Sequence, residues 1–147
     1  MVLKRDTSRP EKTMTTLTAE PVKTRRANNM VWFELPVSNL ERATEFYEIA
    51  FGTSMRTDSR FPGIAMFPKS SEEAVTGALA ESSTANPSVD GAVVYLNCDG
   101  DIDGVLKRAK AAGGKVLQEV AQLPGGMGWI AQFRDLDGNR VGLHATF

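Results

Sequence analysis

The chain has 147 residues, of which 41% are hydrophobic and 24% charged, and its formal net charge is -1 at pH 7. These values are typical of a globular domain and exclude collagen-like, disordered and disulfide-stapled chains. No apolar run reaches the ~18 residues of a transmembrane helix, and no basic stripe predicts nucleic-acid binding. We therefore expect neither a membrane nor a nucleic acid as partner. The single cysteine, Cys98, cannot form an internal disulfide, so we expect a cytoplasmic location.

Basic residues outnumber acidic ones in the first 28 residues of the chain. Residues 1–28 hold seven Lys or Arg against three Asp or Glu, and they contain no aromatic residue. Such a segment cannot bury enough apolar surface to offset the entropy of ordering it. We predict a disordered basic tail over residues 1–28 and a folded domain over residues 29–147.

An internal repeat organises the folded part. The strand-like run VWFELPV and the helical run SNLERATEFYEIAFG (residues 31–52) are echoed by AVVYLNC (92–98) and DIDGVLKRAKAAGG (101–114). The later strands GIAMF and VTGALA are echoed by WIAQF and RVGLHA, at a nearly constant offset of about 60 to 66 residues. The sequence therefore predicts an α+β domain of two βαβββ units, residues 29–82 and 90–147.

Local signals set the expected helix ends. Ser38 with Glu41 three residues later fits a capping box, and Gly52 can supply the left-handed stop of the first helix. Asp101 is expected to cap the second helix, which the Gly113-Gly114 pair ends. The Gly125-Gly126 pair is expected to form a mobile lid or a plain turn, because no helix follows it as a phosphate loop would require.

Strand alternation predicts a face for a site. Successive side chains of a strand point to opposite faces, so the aliphatic positions lie under the helices and the mixed aromatic and polar positions lie on the uncovered face. The latter are Trp32, Glu34, Tyr95, Asn97 and His144. Aromatic groups mixed with a few polar ones are typical of small-molecule sites, and we add Met66 and Gln132 from the neighbouring strands as candidate substrate-binding residues.

The paired units, the run V-S-N-L-E-R-A-x-x-F-Y at 37–47 and the run F-R-D-L-D-G-N-R-V-G-L-H at 133–144 resemble the vicinal oxygen chelate superfamily. This group contains glyoxalase I, bleomycin-resistance proteins, fosfomycin-resistance enzymes and extradiol dioxygenases. The resemblance implies a glyoxalase-like domain with an eight-stranded, cup-shaped mixed sheet, often completed in a homodimer. We accordingly expect a homodimer and a small-molecule ligand or substrate.

Metal-dependent members of this superfamily carry His, Glu or Gln at four strand positions. Matching the motifs places Trp32, Gly77, Val93 and Gly142 at those positions, and none of these side chains binds a divalent cation. We therefore predict no metal and no other cofactor.

Two candidate catalytic residues remain, each with a structural alternative. His144 is the only imidazole and has a reference pKa near neutrality, which suits a general acid or base; the alternative is a strand-end histidine without chemistry. Glu34 lies within an apolar strand and needs water, a ligand or a partner; the alternative is a salt bridge with Arg140. Trp32 and Tyr95 could be packing residues rather than ligand platforms. Cys98 falls on the helix side and is expected to be a buried small hydrophobe.

The sequence leaves three functions open. The first is a metal-independent lyase or isomerase that uses Glu34 and His144 as acid and base across a cleft. The second is a binding protein that sequesters a planar ligand between aromatic side chains, as bleomycin-resistance proteins do, without catalysis. The third is a metal-dependent lyase or dioxygenase with other ligands around Glu34 and His144.

Overall fold

The structure, a computed structural model, describes residues 28–147 and contains the predicted repeat. The first unit consists of β1 (Trp32–Val37), α1 (Leu40–Phe51), β2 (Ile64–Met66) and β3 (Thr76–Glu81). The second consists of β4 (Val94–Asn97), α2 (Ile102–Ala111), β5 (Lys115–Gln122), β6 (Trp129–Arg134) and β7 (Arg140–Ala145), with a one-turn 3₁₀ helix at Pro124–Gly126. Apart from Asn28, the predicted tail lies outside the described residues.

Each unit forms its own mixed sheet. The strand order is β1-β3-β2 in the first sheet and β4-β7-β6-β5 in the second, and in both the first strand runs parallel to its neighbour. The predicted two-unit α+β fold is confirmed. It differs in one detail, because the strand expected directly after α1 is reduced to a bridge between Arg56 and Met66. The turn in which Asp58 binds the backbone and side chain of Arg60 ends the extended chain there.

Helix α1 ends as predicted but begins differently. Gly52 adopts the left-handed conformation at φ 61° and stops the helix. The capping box expected from Ser38 and Glu41 is wrong, since the N-cap is Asn39, whose side chain accepts a hydrogen bond from the Arg42 N–H at 2.9 Å. Ser38 instead donates its N–H and its hydroxyl to Asp137 in the second unit, at 2.8 and 2.6 Å.

Helix α2 begins at Ile102 after Asp101, as expected, but the Asp101 side chain caps no backbone N–H. Its carboxylate pairs with Arg108 at 2.9 Å. The Nε of Arg108 also donates to the carbonyl of Ala50 at the end of α1 at 3.0 Å. One side chain of α2 thus ties the two helices together.

Both helices share one core with both sheets. Helix α1 packs on the first sheet, α2 on the second, and the helices pack on each other. Tyr47 of α1 is fully buried and its ring contacts Phe67 of the first unit and Phe133 of β6, with centroids 5.5 and 6.5 Å apart. The apolar faces of the sheets therefore meet through the helices, and the faces without a helix point away from the shared core. We call these the first and the second open face.

The turn between β6 and β7 joins the two units. One oxygen of the buried Asp135 accepts the N–H groups of residues 137, 138 and 139 at 2.9 to 3.0 Å, and the other accepts the Tyr47 hydroxyl at 2.7 Å. Asn139 donates to the carbonyl of Pro36 at the end of β1, also at 2.7 Å. Burial, and then the Asp135 charge, raise the pKa of Tyr47 well above its ordinary value, so the hydroxyl stays protonated and donates.

Neither α-helix between residues 28 and 147 is long and apolar enough to cross a membrane.

We predict that Tyr47→Phe lowers the free energy of unfolding by about 1.5 to 3 kcal/mol, because it removes a hydrogen bond to a buried carboxylate. The matched change Tyr95→Phe removes a hydroxyl from a side chain that is 44% exposed and should cost less than about 0.5 kcal/mol. Urea denaturation of both variants measures the difference. Equal losses would show that the Tyr47–Asp135 bond does not hold the units together.

Candidate functional site

The first open face carries three of the predicted site residues. Trp32 and Glu34 of β1 are exposed, whereas Leu35 and Val37 are buried under α1. Glu34 lies in register with Ala78 of β3, which in turn is paired with Met66 of β2. Within the described chain Glu34 makes no side-chain hydrogen bond and no ion pair. Its carboxylate is therefore available to a ligand.

The second open face carries the other four. Tyr95 and Asn97 lie on β4, Gln132 on β6 and His144 on β7. Tyr95 and Gln132 are each paired with Gly142, which stands between them on β7. A Cβ added at Gly142 would lie 2.5 Å from the Tyr95 ring, so the ring lies flat over the glycine and reaches across the strand. Because Gly142 has no side chain, Tyr95 and Gln132 can contact each other across β7.

A chain of hydrogen bonds crosses this face. The Nη1 of Arg140 donates to Oε1 of Gln132 at 3.0 Å, and Nε2 of Gln132 donates to the Tyr95 hydroxyl oxygen at 2.6 Å. The Nε of Arg140 donates to the carbonyl of Val89 at 3.2 Å. The Tyr95 oxygen accepts from Gln132, and its own O–H finds no acceptor among residues 28–147, so the O–H can donate to a ligand. The face therefore presents a tyrosine hydroxyl whose orientation is fixed by two further side chains.

His144 is used to hold the neighbouring turn. Its Nε2 lies 2.7 Å from the carbonyl oxygen of Met127. A carbonyl only accepts, so Nε2 carries the proton and Nδ1 is free in the neutral ring. The Gly125-Gly126 segment forms the 3₁₀ turn just before Met127, with both glycines at positive φ. The expected turn is confirmed, and the imidazole fastens it to the end of β7.

Glu34 and His144 are not brought together within one chain. They lie on different sheets, and the helices lie between those sheets. Asn97, also on the second open face, uses its side-chain oxygen to accept the N–H of Asp99 at 2.9 Å. The salt bridge considered between Glu34 and Arg140 does not form in the described chain, where Arg140 is bound by Gln132 and Val89. Acid and base chemistry between Glu34 and His144 would need a second copy of the chain.

Two neighbouring cavities share Met30 and Thr76 among their lining residues. Trp32 borders one of about 600 Å³ beside Lys69 and Glu72. Tyr95 and Asn97 border another of about 350 Å³ lined by Phe51 and Phe67. The smaller cavity is thus bordered by both units of one chain.

The residues at the family's metal positions do not fit a divalent cation. Gly77 was matched to one of them, yet it faces the helix side beneath Phe33, and the open-face residue in register with Trp32 is Thr76. The Thr76 hydroxyl is already bound to the carbonyl of Phe67 at 3.0 Å. Val93, Trp32 and Gly142 offer no ligand atom. Within residues 28–147 no three His, Cys, Asp or Glu side chains lie close enough together to hold a metal ion.

Cys98 lies in the core, as its position in the strand predicted. It is 5% exposed, and burial raises the pKa of its thiol to about 12. A thiol is nucleophilic only as the thiolate. The cysteine is therefore a packing residue.

Arg140 lies four residues before His144 on β7 and so shares its face, but it was considered only as a salt-bridge partner for Glu34. Arg140 also donates to the carbonyl of Val89, which lies in the linker between the units. No local pattern of residues indicates that contact.

Comparison with known proteins supports a family and a fold. Residues 29–143 match the model of the Glyoxalase/Bleomycin resistance protein/Dioxygenase superfamily. No curated protein matches the chain. A hypothetical protein from S. aureus is similar over 80% of this chain and 94% of its own, with 24% identity and a TM-score of 0.60. A glyoxalase/bleomycin resistance protein from Albidiferax ferrireducens is similar over 79% of this chain and 97% of its own, with 16% identity and a TM-score of 0.65.

A glyoxalase I mutant from Zea mays shares 26% identity over 79% of this chain, with a TM-score of 0.56, but the match spans only 45% of the maize chain. The two-unit fold, the match over residues 29–143 and these solved structures agree. This chain belongs to the Glyoxalase/Bleomycin resistance protein/Dioxygenase superfamily.

Proposed function

We propose that this chain binds a small organic molecule on its second open face, without a divalent metal. The observation that carries the proposal is the hydrogen-bonded chain of Arg140, Gln132 and Tyr95, which ends in a free hydroxyl donor on a flat aromatic ring. An aromatic surface gives a ligand apolar contact, and a few fixed polar groups give it orientation. The ring packs over Gly142 but remains 44% exposed, so part of its surface is open to a ligand.

We further propose that two copies associate so that the first open face of one chain covers the second open face of the other. Large apolar side chains on the outward faces support this association: Trp32, Val93 and Tyr95 are 36% to 44% exposed. Strands β1 and β4 also lie at the edges of their sheets, so the outer side of each strand is unpaired in the described chain. Unpaired edges and exposed apolar patches favour association. In such a homodimer the ligand would be enclosed between two sheets.

A lyase or isomerase activity is a second candidate function. The Glu34 carboxylate, which has no partner in the described chain, favours it. A general base needs an acceptor atom within reach of the substrate proton, and no hydrogen bond or ion pair within the described chain occupies the Glu34 oxygens. His144, with Nδ1 free, is the candidate second group. Sequestration of the ligand without catalysis is the competing outcome, and both require the same binding face.

Ligand binding is tested by a fragment screen that follows the melting temperature. A fragment that binds the folded state raises it by mass action. We expect fragments that stabilise the wild type to lose their effect on Tyr95→Ala and Gln132→Ala, and to keep it on the control Phe147→Ala, an exposed residue at the end of the chain. Undiminished stabilisation of both site variants would contradict the proposed face.

Catalysis is tested on the fragments that bind. A lyase or isomerase that abstracts a proton from carbon exchanges that proton with solvent, so NMR in D₂O follows the loss of the ligand C–H signal. We expect Glu34→Gln to keep binding and to slow exchange by about a hundredfold or more. The control Glu45→Gln, on the outer side of α1, should exchange like the wild type. Binding without exchange in the wild type would leave sequestration as the function.

Association is tested by light scattering coupled to size-exclusion chromatography. We expect a mass of twice 16.0 kDa for the wild type at micromolar concentration. Trp32→Asp places a charge on the first open face and should shift the protein toward the monomer, whereas Phe147→Asp should not. A monomeric wild type would refute the shared cleft.

A further inference from the structure

A row of basic side chains crosses the end of the second open face. Lys115 of β5 is paired with Arg134 of β6, and Arg134 is paired with Arg140 of β7. All three alternate with buried or core-packed residues on their strands, so they share the open face. The row stands next to Gln132 and Gly142 along the same strands. Three cations in register are unfavourable unless an anion lies near them.

No carboxylate of the described chain neutralises the row. The ion pairs among residues 28–147 involve Arg42, Arg60, Lys69 and Arg108, and none involves Lys115, Arg134 or Arg140. The two acids closest in sequence are already engaged. Asp135 is buried and accepts from three backbone N–H groups and from Tyr47, and Asp137 accepts from Ser38. Neither of these two carboxylates pairs with a cation of the row.

The hydrogen bonds of Arg140 fix its guanidinium without neutralising it. Both of its acceptors, the Val89 carbonyl and the Gln132 side-chain oxygen, are uncharged. Its Nη2 makes no hydrogen bond in the described chain. At the other end of the same hydrogen-bonded chain, the Tyr95 O–H is also free. The unused N–H and O–H groups of this network are donors, so a ligand that binds them must bring acceptors.

Resting on the proposed function, we infer that the ligand of this face is a small organic anion whose carboxylate or phosphate oxygens bind Arg140 and the Tyr95 hydroxyl. Arg134 and Lys115 contribute the positive field that attracts it. The planar fork of an arginine matches the geometry of both anions. The remainder of the ligand lies over the Tyr95 ring.

The test uses three probes of similar shape: benzoate, phenyl phosphate and the neutral benzamide. NMR titrations at low salt, followed by backbone amide chemical shifts, measure the affinity. Shifts of the Gly142 and Gln132 amide signals show that the probe binds at the second open face. We expect benzoate or phenyl phosphate to bind about tenfold or more tightly than benzamide, which corresponds to one charge-assisted hydrogen bond. The stronger of the two anions identifies whether a carboxylate or a phosphate is preferred. Added salt should weaken the binding of the anions alone.

Variants separate the contacts. Arg140→Gln should reduce the affinity for the anion about tenfold or more and leave that for benzamide unchanged. Tyr95→Phe keeps the ring and removes only the hydroxyl, and it should also reduce the affinity for the anion. It therefore tests the network even if Arg140→Gln does not fold. Arg60→Gln, whose guanidinium pairs with Asp58, is the control and should change nothing.

The outcomes distinguish this inference from the function on which it rests. Benzamide that binds the face as tightly as the anions would overturn the anion inference and leave a small-molecule site in place. Anion binding that is insensitive to both Arg140→Gln and Tyr95→Phe would overturn it as well. If none of the three probes shifts any signal of the second open face, the inference is overturned, and the fragment screen alone decides the proposed function.

Discussion

The buried carboxylate of Asp135 is the interaction on which the arrangement of this chain depends. It lies in the second unit, accepts three backbone N–H groups of its own turn and binds the Tyr47 hydroxyl of the first unit. A buried charge is tolerated only when its hydrogen-bonding capacity is satisfied. Tyr47 is therefore needed at this place, and with it helix α1 is held between the two sheets.

That arrangement decides where function can lie. Because both sheets turn their apolar faces to the shared helices, each open face points outward. The first open face carries the carboxylate of Glu34, which has no partner in the described chain, and the second carries donors and cations around Arg140. The same turn also removes Asp135 and Asp137 from the second face.

Much of the fold could be predicted from the sequence because its signals are local. Hydrophobic alternation identifies Leu35 and Leu143 as core residues, and Gly52 marks the end of α1. Other features depend on contacts far apart in the chain. The hydroxyl of Ser38 was expected to cap α1, but it binds Asp137, 99 residues away. Local pattern cannot indicate that competition, so Asn39 takes the cap instead.

The candidate site shows the same limit more clearly. Alternation gives the face of each strand, but it does not give the relative placement of two sheets, and Glu34 and His144 were therefore assigned to one cleft. A shift of one residue moves a side chain to the other face, which is why Gly77 was matched to an open-face position while it lies under Phe33. The face of Arg140 follows from its spacing to His144 on β7, but its partners, Val89 and Gln132, required the structure.

Amide hydrogen exchange at Gly138 and Asn139 tests the central claim most directly, because both N–H groups are donated to the Asp135 carboxylate. If this carboxylate joins the units, the two amides exchange only when the whole domain unfolds. Their free energy of exchange should then equal the free energy of unfolding measured by denaturant. Exchange of Gly138 and Asn139 at a much lower free energy, while amides of β6 and β7 stay protected, would contradict this account.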